Sequence, residues 1–301
     1  MKGTETKGTR GFVLVNALVL VAALSVVALA LLSRAEGGRV RMLAAGQAVQ
    51  LELYLDAYEA LARAVLNGDP GAVDHGREPW ARADNNLPLD RGQVAGRMRD
   101  LQGMFNLNWL TNPEDEEMRD TFDRLLTRLG VAPSVGQTII AALGPGGAKL
   151  AARRAKGVTE DPPGGAALML DQLPIPEKAL ARLRPFVTVL PGDSQLNVNT
   201  TSALVLASFL PGANSASIDA LLHTRKAEPF KSVGGFVGRL VGAVGAELAE
   251  ELDQDRFSVG SDWFEAEISA GLEGRVAARR VVLQRLPLPA GAQVAYRLDT
   301  W

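Results

Sequence analysis

The residue types that enzymes usually work with are scarce in this chain. It has no cysteine, so no disulfide, thiol nucleophile or cysteine zinc site can be built, and His75 and His223 are its two histidines in 301 residues. Neither sits in a recognisable motif. His223, after Leu221-Leu222 and before Thr224-Arg225, reads as a solvated imidazole on a helix face. The run Glu114-Asp115-Glu116-Glu117 could in principle hold a metal. Helix-start chemistry accounts for it, however, with Asn112 as N-cap, Pro113 at the first helical position and the acids against the positive end of the dipole. Gly144-Pro145-Gly146-Gly147 looks superficially like a phosphate loop, but Lys149 does not directly follow the last glycine and no Ser or Thr comes after it. No Gly-x-Ser-x-Gly hydrolase elbow occurs. The expectation is a protein that is not an enzyme, without catalytic residues or a cofactor of its own.

A second kind of chemistry, phosphate binding by backbone amides, is suggested by one segment. Leu196-Asn197-Val198-Asn199-Thr200-Thr201, then Leu210-Pro211-Gly212, Ile218 to Leu222, Arg225 and Pro229-Phe230 together resemble a helix-hairpin-helix unit, including those of competence-type DNA receptors. Such units turn a Gly-x-Gly hairpin onto DNA. Here Pro211-Gly212-Ala213-Asn214 lacks the second glycine, and Arg225, Lys226, Lys231 and Arg239 face only Asp219 and Glu228, a net of +2 over residues 196–240. With a whole-chain net charge of -2 and a pI of about 5.9, the field is too weak for a polyanion, and no nucleic acid partner is expected. A membrane-anchored DNA-binding protein using this segment is the rival reading.

The elements that position these residues begin with a membrane span. Phe12 to Leu32 is a run of 21 residues without a charge, with Asn16 and Ser25 as its polar side chains. As a helix it would be roughly 32 Å long, enough to cross a bilayer. Lys2, Lys7 and Arg10 against Glu5 give a basic excess before it, which keeps the N-terminus cytoplasmic and sends the bulk of the chain outward. The run is too long for an ordinary cleavable signal. Arg10-Gly11-Phe12, directly after a short basic leader, resembles the processing site of type IV pilin-like precursors. There a prepilin peptidase cuts after the glycine and methylates the new terminal residue, so Gly11 and Phe12 are the expected processing residues. Counting from Phe12, the fifth residue is Asn16, where most pilins and pseudopilins carry glutamate. A plain signal anchor is the alternative.

Leu51, Tyr54, Leu55, Tyr58, Leu61, Ala62 and Val65 keep helical spacing until Asn67-Gly68-Asp69-Pro70 stops it. The spacing predicts one helix over 12–67, with Glu36-Gly37-Gly38 as the place where it could break into an anchor and a separate first helix. Residues 71–98 are rich in turn formers and charge and carry little pattern. Phe105, Leu107 and Trp109 alternate, predicting a strand near 104–110, and a helix follows to about Leu129. From Val131 to Asp255 the chain reads as helices separated by Pro/Gly loops, notably Gly144 to Gly147 and Asp161 to Gly165. After Asp255 the pattern alternates again. Phe264, Ala266, Ile268 and Ala270, then Val281 and Leu283, then Val294, Tyr296 and Leu298 predict an antiparallel three-strand meander.

The ordered series of these segments resembles the minor pseudopilin K family of type II secretion systems. It comprises the Gly11-Phe12 site with Asn16, Gly103-x-Phe105-Asn106-Leu107-Asn108, Phe186 to Leu190 leading into Leu196 to Thr200, Phe257-Ser258-Val259-Gly260-Ser261-Asp262-Trp263-Phe264 and the terminal strands. The resemblance implies an α+β fold: a pilin-like long N-terminal helix packed on an antiparallel sheet, with a large inserted all-α domain holding the helix-hairpin-helix-like segment. The expected organisation is a cytoplasmic leader (1–11), a transmembrane and amphipathic spine (12–67), the first part of the sheet domain (68–111), the helical insert (112–255) and the completing strands (256–301). The implied role is at the tip of a periplasmic pseudopilus, supporting export across the outer membrane. The implied partners are minor pseudopilins I and J, prepilin peptidase and inner-membrane lipid. A minor pilin of a type IV pilus is a second alternative. The chain departs from the family in having Leu143-Gly144-Pro145-Gly146-Gly147 in place of an acidic Asp-Trp-x-Asp stretch, and Thr201 where alanine is usual. Some family members bind calcium. Asp253, Asp255 and Asp262 could offer oxygens, but their spacing forms no complete calcium loop, and no metal ligand is assigned.

Overall fold

The computed structural model describes residues 9–82, 85–143, 170, 173–250 and 252–300. Lys2, Glu5, Lys7, the glycine run 144–147, Lys149 and the loop 161–165 lie outside the described residues. The chain divides into two compact units, Met1–Leu53 and Tyr54–Trp301.

In the first unit helix α1 starts; the element runs from Thr9 to Asn67 and passes through Gly37 and Gly38 without a break. The apolar run is exposed along its whole length, with no part of its most apolar window buried, and it is one helix long and apolar enough to cross a membrane. Ser25, which would otherwise bring a bare hydroxyl into hydrocarbon, donates to the Val21 carbonyl at 2.8 Å.

In the second unit, α1 residues Leu55, Tyr58, Ala62 and Leu66 are buried at i, i+3, i+4 spacing. Five antiparallel strands form the sheet: β1 (Asn85–Leu89), β2 (Gly92–Asp100), β7 (Trp263–Leu272), β8 (Arg275–Arg285) and β9 (Ala292–Thr300), in that spatial order. The meander 263–300 follows the sequence pattern, and its first hairpin turns on Glu273 and Gly274, both at positive φ (50° and 82°). Strands β1 and β2 fall in the stretch that carried little pattern. The buried row of β2 is Val94, Gly96 and Asp100, not an apolar alternation. Gly96 is required there because the Tyr58 ring lies against it: a Cβ would come within 2.5 Å of that ring, and the Tyr58 hydroxyl donates to the Gly96 carbonyl at 2.5 Å.

Between neighbouring strands β2 and β7 the chain leaves the sheet for residues 101–262. This insert contains short β3 (Phe105–Asn106), α2 (Glu116–Leu129), α3 (Pro133–Leu143), α4 (Glu177–Leu183), β4 (Val187–Thr188), β5 (Leu196–Asn197), α5 (Ala203–Phe209), α6 (Ser215–Ala227), α7 (Val233–Val244), α8 (Ala246–Glu250) and β6 (Phe257–Ser258). The expected strand near 104–110 is corrected. Only Phe105–Asn106 is extended, pairing in parallel with β4, and Leu107–Thr111 is a 3-10 turn. Phe105, Leu107, Trp109 and Leu110 belong to the insert's core, so their alternation reports burial on several sides and not membership of the sheet. The start of α2 is also later than expected. Asp115 is the N-cap, accepting from Met118 N, while Asn112 accepts from Glu114 N one turn earlier. Gly130 closes the helix in the left-handed region at φ 61°.

Aromatic side chains link the insert's elements. Phe105 stacks on Phe122 at 5.3 Å and meets Trp109 edge-on at 5.2 Å; Phe209 meets Phe257 at 5.4 Å and Phe230 meets Phe236 at 5.3 Å.

Candidate functional site

The expected processing residues, Gly11 and Phe12, both lie within α1, and the Phe12 side chain is exposed. Asn16, four residues on, is exposed as well.

The helix-hairpin-helix-like segment forms two helices, α5 and α6, joined by Leu210 to Asn214, with Gly212 at φ 83° and Asn214 capping α6. Two of its four cations are committed to the protein. Arg225 is turned inward, where Nη1 donates to the Val198 carbonyl at 2.6 Å and the Thr201 carbonyl at 2.9 Å, and burial lowers its pKa to about 10. Arg239 pairs with Glu228 at 2.5 Å. This geometry leaves Lys226 and Lys231 as the segment's remaining cations, a thin basis for phosphate binding. The asparagines of the segment build the fold. Asn199 accepts from Phe230 N at 2.8 Å and donates to the Phe230 carbonyl at 2.9 Å, so it anchors the stretch that leads into α7. Thr201 is fully buried and its hydroxyl has no partner, so the alanine usual in the resembled family would lose no bond there.

Asn197 leads to the most concentrated polar chemistry among the described residues, at the seam between sheet and insert. Asp100 ends β2, Ser261 precedes β7, Asn197 and Thr200 come from the insert, Asp74 from the loop after α1, and Arg285 ends β8. Asp100 Oδ2 accepts from Ser261 Oγ at 2.6 Å, Thr200 Oγ1 at 2.5 Å and Asn197 Nδ2 at 3.0 Å, while Oδ1 accepts from Gln102 N at 2.7 Å. Burial raises the Asp100 pKa, with those four bonds acting against the shift. Asp74 Oδ2 accepts from Ser261 N at 2.7 Å and from Arg285, and the Arg285 guanidinium also reaches Asp69 at 3.1 Å. Burial pushes Asp74 up to about 7 against the lowering effect of Arg285. Gly103 is a close approach within this seam: a Cβ there would lie 2.7 Å from Thr200 Oγ1.

The acids named as oxygen donors for calcium separate. Asp253 caps the turn at Asp255 N and pairs with Arg256 at 3.2 Å, and Asp262 lies at the seam. Asp115, from the acid run at the start of α2, pairs with Arg256 at 2.5 Å. Three other carboxylates do converge: Asp69, Asp74 and Glu78 each offer an oxygen within 4.8 Å of the others. All-oxygen donors suit calcium. Sequence reasoning missed this group because it falls in the unpatterned stretch after α1 and matches no known ligand spacing. Its one visible signal is three acids within ten residues of a helix stop.

Residues 196–259 match the family described as Type II secretion system (T2SS), protein K. Over 309 aligned residues the chain is 30% identical to the Type II secretion system protein K of Pseudomonas aeruginosa, covering 88% of this chain and 86% of that protein. The chain belongs to the type II secretion system protein K family. The family is one of pseudopilins, structural components of the secretion apparatus. The protein K of Aeromonas hydrophila is 31% identical over 213 residues, covering 59% of this chain and 64% of the relative. The fold is that of a chain in the crystal structure of the GspK-GspI-GspJ complex from the enterotoxigenic Escherichia coli Type 2 Secretion System. The TM-score is 0.67 at 20% identity, covering 87% of this chain and 99% of the other.

Proposed function

We propose that this protein K is the minor pseudopilin at the tip of the type II secretion pseudopilus, where it supports protein export across the outer membrane. The observation that carries the reading is the insertion of residues 101–262 between two adjacent strands of a pilin-like sheet. A bulky helical insert at that point would prevent another subunit from adding above, which suits an end subunit and not a repeating one. The similar E. coli structure is a complex with GspI and GspJ. By that likeness, the partners of this chain are minor pseudopilins I and J. The apolar run of α1 anchors the chain once in the inner membrane with the N-terminus cytoplasmic and the remainder periplasmic. Prepilin peptidase cleaves after Gly11 and methylates Phe12. In the periplasm the absence of cysteine leaves the aromatic core of the insert and the partner contacts as the sources of stability.

Co-expression with pseudopilins I and J, followed by affinity capture of one subunit, tests the reading. The three are expected to purify together. Protein K eluting alone, under conditions where I and J still pair, would overturn it.

A further inference from the structure

We propose that Arg34, Arg39 and Arg41 form a cationic collar that binds the headgroups of anionic phospholipids in the periplasmic leaflet, an inference that rests on the single-span reading of α1 given above. The apolar run ends at Leu32, so the first of the three stands two residues, roughly 3 Å, beyond it. All three are exposed, and none has a hydrogen-bond or ion-pair partner among the described residues. Glu36 is the one acid from residue 12 to residue 51, so residues 34–41 carry a net charge of +2. Their placement runs against the rule that cations near a span stay on the cytoplasmic side. Before cleavage the leader offsets them with Lys2, Lys7 and Arg10. Once it is cut after Gly11, no charged side chain remains on the cytoplasmic flank, and the three arginines are the only charged flank of the span.

Helix geometry decides what the collar can meet. Side chains on an α-helix lean towards its N-terminus, which here lies in the bilayer. Arg39 and Arg41, roughly 11 and 14 Å past Leu32, therefore reach back towards the headgroup layer, a band of about 5–8 Å on each side of the hydrocarbon. At about 3.6 residues per turn, Arg41 lies above Arg34 on one face, while Arg39 is turned about 140° away. A neighbouring helix meets one of these faces and leaves the other bare. Headgroups surround the helix and serve all three. A guanidinium fork matches a phosphate with two parallel hydrogen bonds, and each cation close to an anionic surface strengthens binding by about fivefold.

The test uses the protein without its leader, in a non-ionic detergent, titrated separately with phosphatidylglycerol and phosphatidylcholine, with bound lipid counted by native mass spectrometry. The expected result is a preference for phosphatidylglycerol of about tenfold or more that shrinks as salt is raised. In the triple variant Arg34→Gln, Arg39→Gln and Arg41→Gln the preference should vanish, while the melting temperature matches wild type because the three side chains bond to nothing in the fold. The corresponding triple lysine variant should keep most of it, and Arg275→Gln, at an exposed arginine of the sheet, should keep all of it. Equal binding of the two lipids by wild type, or a triple glutamine variant that still prefers phosphatidylglycerol, would overturn the collar. Displacement of the lipid by millimolar inorganic phosphate would overturn it in favour of a free anion. A triple glutamine variant that loses capture of pseudopilins I and J but keeps its lipid preference would overturn it in favour of carboxylates on a partner protein. Failure of the wild-type chain to capture I and J bears on the tip assignment alone and leaves the lipid result standing.

Discussion

In the sheet, the β8 row that faces α1 reads Ala277, Arg279, Val281, so an arginine only 5% exposed is set in the middle of an apolar row. It is tolerated because α1 supplies carboxylates above it. Arg279 pairs with Asp56 at 2.5 Å and lies 3.6 Å from Glu59, and Arg297 from β9 grips Glu59 with two nitrogens at 2.5 and 2.6 Å. The insert is built the other way at its centre, where Phe105, Phe122, Phe209, Phe236 and Phe257 close on one another, while its ion pairs such as Arg256–Asp115 and Arg239–Glu228 lie outside that aromatic cluster. The lesson is that ion pairs fix how the spine helix registers on the sheet, whereas apolar volume holds the insert. The buried polar groups that belong to both regions gather at the seam, where one chain segment must leave the sheet and another must return.

Breaking the apolar side should cost most. Phe122→Ala empties the centre of the insert and should lower stability by about 3–5 kcal/mol in urea unfolding of the detergent-solubilised protein. The seam comes next. Asp100→Ala strands the donors of Ser261, Thr200 and Asn197 together, and about 2–3 kcal/mol should be lost, with hydrogen exchange rising at Leu101 and Asn197 on either side of the junction. On the ion-pair side, Arg297→Ala removes a pair that is half exposed at the arginine, and about 1–2 kcal/mol should be lost. The smallest change has the opposite sign. Thr201→Val replaces a buried, unpartnered hydroxyl with a methyl of the same shape and should gain about 1 kcal/mol.

The seam also sets a pH dependence. Asp74 has its folded pKa raised from 3.8 to about 7, so within that window the folded state holds a proton that the unfolded state has lost. Its contribution to stability is fully present below 3.8 and is lost as pH rises through about 7. In EDTA, melting temperatures measured across this window should therefore fall with rising pH more steeply in wild type than in Asp74→Asn.

Much of this architecture was legible from spacing alone: the apolar run from Phe12, the inward stripe Leu55, Tyr58, Ala62 and the meander after Asp255. The misses have physical causes. Strand β2 hid because its inward row uses Gly96 beneath a tyrosine ring and Asp100 inside a hydrogen-bond cluster, so no apolar alternation marks it. Phe105, Leu107 and Trp109 misled because a 3-10 turn buried on several sides also alternates. Asn112 misled because an asparagine before proline suits a turn as well as a cap. The seam was invisible because its members stand as far apart as Asp74 and Arg285, and tertiary structure alone brings them within hydrogen-bond reach.

The comparison between the regions matters functionally only if α1 is retained as a pilin-type spine. The direct measurement is intact-mass and N-terminal peptide mass spectrometry of the protein purified from cells with and without prepilin peptidase. The account predicts, in cells with the peptidase, a mature chain that lacks residues 1–11 and begins with methylated Phe12. An N-terminus still carrying the Met1 leader, identical in both strains, would contradict it.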